Sequence, residues 1–216
     1  MQFGLPINDA SFNEFASRKK STFRSGQYST IKLKPGIKLI RLIDHKLSHK
    51  LGNHEFWFLE HDFQKLKKLA EADLKTQQAA PNKAVAQNRL EVYLKFQLRD
   101  YLAISRQWSD LDGIVRITTP HNPLIALVGP AKKQPYFYSD FNHKGYKESE
   151  ERVSRANKSG IGLPSGKHAK TASQVAESAG ISLPGGITQF IIDFNNPANK
   201  KAAIGLPLLK KEKIVF

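Results

Sequence analysis

The sequence predicts an α+β fold of mostly antiparallel strands, and three observations carry that expectation. Short apolar runs rich in Ile, Val and Phe recur in both halves of the chain. Leu90, Leu94, Leu98 and Leu102 follow one another at a spacing of four, which lines one face of a long helix. Proline–glycine punctuation at Pro35-Gly36 and Pro184-Gly185-Gly186 separates strands with tight turns.

Taken in order, residues 1–29 are polar and rich in serine and read as a lead segment, leaving 30–216 as a single domain. Apolar and basic residues alternate in I-K-L-K-P-G-I-K-L-I-R-L-I from Ile31, which predicts a strand, a turn and a second strand. A histidine-rich loop, D-H-K-L-S-H-K-L-G-N-H, comes next, and E-F-W-F-L-E is another strand. Asp62 is placed to cap a helix reaching about Thr76, with Phe63, Leu66, Leu69 and Ala70 on one face. A-A-P-N at 79–82 breaks it, and a longer helix runs from about Lys83 to Ser105 with Tyr93 and Tyr101 beside its leucines. G-I-V-R-I-T-T-P and P-L-I-A-L-V-G-P predict two more strands around His121-Asn122. Residues 131–180 are polar and basic, either a long loop or an insertion, with a short helix near Thr171–Ser178. I-T-Q-F-I-I-D at 187–193 is a strand, and K-E-K-I-V-F ends the chain as a last one.

Composition narrows function. Hydrophobic residues at 40% provide for a folded core, and no apolar run is long enough to span a bilayer, so membrane insertion is not expected. With Cys at 0, disulfides and thiolate metal sites are excluded. Lys+Arg 34 against Asp+Glu 19 gives +15, a field that favours polyanions such as nucleic acid, a nucleotide or an acidic protein. His45 and His49 lie four apart with Asp44, His54 and His61 near, yet Gly52-Asn53 and the flanking lysines fit an exposed loop better than a metal site. No G-x-S-x-G is present, and S-G-I-G-L-P-S-G-K at 159–167 lacks the spacing of a phosphate-binding loop. The echoes G-I-G-L-P, G-I-S-L-P and I-G-L-P are recurrent turns, because the sequences between them do not match. Arg41 stands among aliphatics on its strand and points either outward, like Lys34 and Lys38, or inward toward an anionic partner.

The order of these pieces resembles the ADP-ribosyltransferase-like fold of bacterial polymorphic toxins, nearest the NAD-degrading branch typified by tuberculosis necrotizing toxin. The matching pieces are L-K-P-G-I-K-L-I-R-L-I, the Gly52-to-Trp57 segment, L-A-I-S-R-Q-W, L-V-G-P-A and P-G-G-I-T-Q-F, within roughly residues 31–195. The resemblance implies a split antiparallel β-sandwich, with the helices at 62–105 packed on one side and NAD in the cleft as substrate. By the same resemblance, Arg41 binds the pyrophosphate and Phe56 or Trp57 walls the nicotinamide. Gly185 and Gly186 allow close approach, Gln189 holds the nicotinamide ribose, and Arg99 and Arg106 are further phosphate contacts. No metal is called for. The strand offers Gln189, with Asp193 on the same face by alternation, where transferases of this fold use a glutamate. That departure favours hydrolysis of NAD over transfer, unless Glu148 or Glu150 arrives from the long loop. The implied protein is a secreted, antibacterial effector acting in the cytoplasm of a target cell and restrained by an acidic immunity protein. An ADP-ribosyltransferase acting on RNA or protein is the alternative, and a basic nucleic-acid-binding module or nuclease is the second.

Overall fold

The computed structural model describes residues 3–43, 56–75, 90–91, 94–95, 97–99, 101–104, 111, 113–135, 182–183, 185–204, 206 and 211–213. Two compact units divide the chain. The first joins Met1–Gln64, Leu111–Lys132 and Gly186–Val215; the second joins Lys65–Asp110 and Lys133–Gly185, with Phe216.

The first unit is built on one antiparallel sheet of eight strands among the described residues. In chain order these are β1 (Gly4–Pro6), β2 (Ser29–Leu33), β3 (Lys38–Ile43), β4 (Phe56–Leu59), β5 (Gly113–Thr118), β6 (Ile125–Pro130), β9 (Thr188–Ile191) and β10 (Lys211–Lys213). Across the sheet the order is β1-β2-β6-β9-β4-β3-β5-β10. The sheet therefore mixes with helices as α+β, but it is continuous where two small sheets were expected.

Pro35-Gly36 turns the chain without making a hairpin, since β2 pairs with β1 and β6 while β3 pairs with β4 and β5. In a flat sheet the four strand spacings from β2 to β3 would measure about 19 Å, and the link would also have to run back along β2. Four residues, Lys34 to Ile37, reach at most about 18 Å. The sheet must therefore coil over on itself, and hydrogen bonds close it: Gly36 N donates to Thr119 O at 2.9 Å and Thr119 N to Ile37 O at 2.9 Å. The Thr119 hydroxyl donates to Lys34 O at 2.6 Å and accepts from Ile37 N at 2.8 Å.

Coiling brings the inner face of both halves into one core. Ile31, Leu33 and Ala126 from one half meet Leu39, Ile43, Trp57, Val115 and Ile117 from the other, with Phe190, Ile192 and Phe194 between. The opposite face of β6 and β9 is covered by α1 (Ala10–Lys19), through Phe12, Phe15 and Ala16, and by Phe23 beyond it, against Ile125, Leu127 and Ile191. Asp9 caps α1 by accepting from Ser11 N at 3.0 Å. Residues 4–26 are thus part of the core rather than a lead segment: Phe12, Phe15 and Ala16 stand at helical spacing and bury a full aromatic face.

A helix α2 (Glu60–Lys75) leads out of this unit, and its Glu60 pairs with Arg116 at 3.2 Å. Phe63, Leu66 and Ala70 are buried as expected, while Leu69 is exposed. In the second unit the described residues between 90 and 102 are helical, with Leu94 and Leu98 buried and Tyr101 exposed. A two-residue ribbon joins β7 (Gln134–Pro135) to β8 (Ser182–Leu183). Back in the first unit, α3 (Pro197–Ala203) is capped by Asn196, which accepts from Ala198 N at 3.0 Å. The expected helix near 171–178 lies outside the described residues.

Candidate functional site

The opening of β9 gathers the features the sequence singled out. Gly185 and Gly186 have φ of 64° and 104°, left-handed values that a side chain would oppose. They deliver Gln189 opposite Phe58 on one side and Gly129 on the other. Gln189 is buried, and its Nε2 donates to Thr22 O at 2.9 Å. The same carbonyl accepts from Lys132 N at 3.1 Å, so one oxygen ties β9 and the end of β6 to residues 20–26.

That segment consists of two short helical turns, Lys20–Thr22 and Arg24–Gly26, with Phe23 between them. Phe23 bridges to Ala131, stacks on Tyr28 at 5.4 Å and is buried. Gly129 lets the segment lie directly on β6, because a Cβ there would run into Gln27 O and stand 2.8 Å from the Phe23 ring. A Cβ on Gly186 would stand 2.8 Å from Nη2 of Arg24, which places the exposed guanidinium at the turn that feeds Gln189.

Arg41 does not join this group. It shares its face with Leu39 and Ile43, opposite Val115 on β5, and so belongs to the inner face of the coiled sheet. Gln189 alternates with Phe190, whose ring is in the inner core, and so belongs to the face covered by α1. The pairing of Arg41 at the pyrophosphate with Gln189 at the ribose is therefore corrected: two strand spacings separate them and they point to opposite sides. Arg41 is partly buried, and its Nη1 lies 3.4 Å from Phe56 O, a long hydrogen bond.

Register also separates the two aromatic candidates. Trp57 is 1% exposed, packed edge-on to Phe194 at 6.1 Å, and is a core residue with no ring face left for nicotinamide. Phe56 is 41% exposed and shares the face of Gln189, with Lys19 Nζ 5.4 Å from its ring centroid. Arg99 is buried in the second unit and its Nη1 donates to Ile104 O at 3.3 Å, satisfying backbone where the helix ends rather than standing on a helix surface. Asp193 accepts from Asn195 N at 2.8 Å, shaping the turn before α3. Arg106, Glu148, Glu150, His45, His49 and His54 lie outside the described residues.

The residues that sequence reasoning missed are Thr22, Arg24 and Lys132. Their signal was the turn F-R-S-G, where Ser25 and Gly26 both take positive φ, 54° and 66°. Charge is segregated around them. Residues 15–43 contain eight Lys or Arg and no Asp or Glu, and residues 113–139 and 182–192 also lack carboxylates. Arg24, Lys20 and Lys132 thus belong to stretches of sequence whose only charges are positive.

Among the described residues no group of His, Asp and Glu is arranged to hold a metal, and no helix is long and apolar enough to cross a membrane. Comparison with protein-family models, curated proteins and solved structures found no match.

Proposed function

We propose that this domain consumes NAD as a glycohydrolase, the activity of a toxin or effector domain. The observation that carries the reading is the opening of β9, where two glycines with positive φ lead to a buried glutamine amide, the Arg24 guanidinium lying against the second glycine. In the reaction, water bonds to C1′ of the nicotinamide ribose as the C1′–N bond breaks. Nicotinamide leaves with the bonding pair, a water proton passes to solvent, and ADP-ribose remains. Gln189 spends one N–H on Thr22. Its carbonyl oxygen and second N–H are the groups to hold the ribose hydroxyls as the ring flattens toward an oxocarbenium ion. Phe56, rather than Trp57, supplies the aromatic surface on that face. A neutral amide gives a cationic transition state less help than a carboxylate, which favours water over a protein or RNA acceptor. An acidic inhibitor suits the charge of the chain.

The test is release of free nicotinamide from NAD by the purified chain, followed with adenine-labelled NAD in the presence and absence of RNA and cell lysate. Turnover without an acceptor, with label recovered as ADP-ribose, is the expected result. Label on RNA or protein would establish a transferase instead, and no loss of NAD under any condition would overturn the reading.

A further inference from the structure

We infer that residues 20–26 form a strap that closes over the Gln189 amide and has to lift from β6 and β9 before a ligand reaches it. The inference rests on the NAD reading for why Gln189 has to be reached, and on the contacts of this segment for how it is held and how it moves.

The closed state comes first. Gln189 is 9% exposed although it opens a strand beside a glycine turn, and an amide so covered has no room for a sugar. The strap is what covers it. Thr22 O accepts from Gln189 Nε2 at 2.9 Å. Gly129 lies opposite Gln189, and its side-chain space is filled by the Phe23 ring and by Gln27 O, just past the strap. Arg24 Nη2 stands 2.8 Å from the place of a Cβ on Gly186, so the strap also reaches the turn that leads to Gln189.

The movement follows from where the bonds fall. Inside the strap they are local: Phe23 N donates to Lys20 O at 3.2 Å, Gly26 N to Phe23 O at 3.1 Å and Gln27 N to Arg24 O at 3.0 Å. The Lys20 stem lies along Gly26, its Cε 3.0 Å from where a Cβ would stand. Such contacts travel with the segment and survive a swing. Toward the sheet, one carbonyl carries two bonds, since Thr22 O accepts from Gln189 Nε2 and from Lys132 N, and both part together when Thr22 lifts. Ser25 and Gly26, with φ of 54° and 66°, mark the pivot. Ser25 has a side chain that opposes this conformation, and a swing about the pair lets it return to the right-handed side. A lifted state of roughly 0.1–10% is enough for a ligand to select, and its apparent affinity is reduced by that fraction.

Two experiments test the strap. The chain has no cysteine, so a single disulfide can be introduced without competitors. Thr22 and Lys132 stand one step along from the antiparallel bridge of Phe23 with Ala131. Hydrogen-bonded antiparallel partners lie about 5.5 Å apart at Cα, inside the span of about 4.4–6.8 Å that a disulfide bridges. The Thr22→Cys/Lys132→Cys double variant is compared with itself at a temperature where circular dichroism shows both forms folded. Oxidised, it should release nicotinamide roughly tenfold or more slower than after reduction, because the lifted state is then removed. The second experiment is amide hydrogen exchange of the parent chain by NMR, which needs neither turnover nor a cross-link. Lys132 N is bonded to the strap at 3.1 Å, whereas its neighbour Ala131 N is bonded to Ile187 O at 2.9 Å. The Lys132 amide should exchange roughly tenfold or more faster than that of Ala131, at a rate unchanged by low denaturant, the mark of local opening. Equal release by the oxidised and reduced forms, with the cross-link confirmed by mass, would overturn the strap while leaving the hydrolase standing. A Lys132 amide that exchanges only through global unfolding would overturn the strap as well. Local opening at Lys132 with no loss of NAD in any form would uphold the strap and overturn only the hydrolase.

Discussion

Two buried amides sit on the same strand pair and are used differently. Asn199, from α3, meets the start of β6: its Oδ1 accepts from Ile125 N at 2.7 Å, and its Nδ2 donates to Ile125 O at 2.9 Å and Asp193 O at 2.9 Å. Every strong direction of that amide is spent on backbone, and the residue is 0% exposed. Gln189 meets the far end of β6, opposite Gly129, and among the described residues its side chain makes one hydrogen bond, to Thr22 O. A saturated amide can only hold a fold together. An amide with its carbonyl uncommitted, at a glycine turn and in a basic field, has something left to offer a ligand.

Substitutions can break that contrast. Asn199→Ala has the largest expected effect, because it strands the N–H and the carbonyl of Ile125, while Asp193 O keeps its bond from Asn196 N. Each unsatisfied group costs about 1–3 kcal/mol, so a loss of roughly 4 kcal/mol is expected. At about 2–4 °C per kcal/mol for a chain of this size, the melting temperature should fall by roughly 10 °C. Activity per folded molecule should not change, which thermal melts and nicotinamide release on the same samples will show. Gln189→Ala should invert the pattern. Thr22 O keeps its bond from Lys132 N, so stability should fall by only about 1–2 kcal/mol. Nicotinamide release should drop on the order of a hundredfold, the scale of losing a transition-state hydrogen bond.

Thr119→Val tests the structural end of the molecule without touching either amide. It removes the hydroxyl that joins Lys34 O to Ile37 N at the crossover between β2 and β3. The expected cost is about 1–2 kcal/mol in denaturant melts, with turnover unaffected. Glu60→Gln is the smallest. The pair with Arg116 is partly exposed, and such pairs contribute about 0–1 kcal/mol, so a shift near the error of a melt is expected.

Much of the sheet was legible in the chain, because β strands announce themselves by short β-branched and aromatic runs. Phe56–Leu59, Gly113–Thr118, Ile125–Pro130 and Thr188–Ile191 fall where such runs were read. The glycine turn before Gln189 was also legible, since few residues other than glycine tolerate φ of 64° and 104° in succession. Two things were not. Phe12, Phe15 and Ala16 form a helix face, but serines and lysines around them made the segment look like polar tail, and only the apolar partners on β6 and β9 give it a place. The side on which Arg41 points was beyond local pattern as well. Alternation fixes which residues of one strand share a face, whereas the register between β3, β4 and β9 decides whether Arg41 and Gln189 share one. That register is set by the fold-over of the whole sheet, which no short motif records.

The most direct measurement of the central claim is nicotinamide release by the parent, Gln189→Ala and Asn199→Ala at a temperature where circular dichroism shows all three folded. The account predicts turnover by the parent and by Asn199→Ala, with loss on the order of a hundredfold in Gln189→Ala. Gln189→Ala turning over as fast as the parent would make the glutamine a second structural tether and contradict the claim.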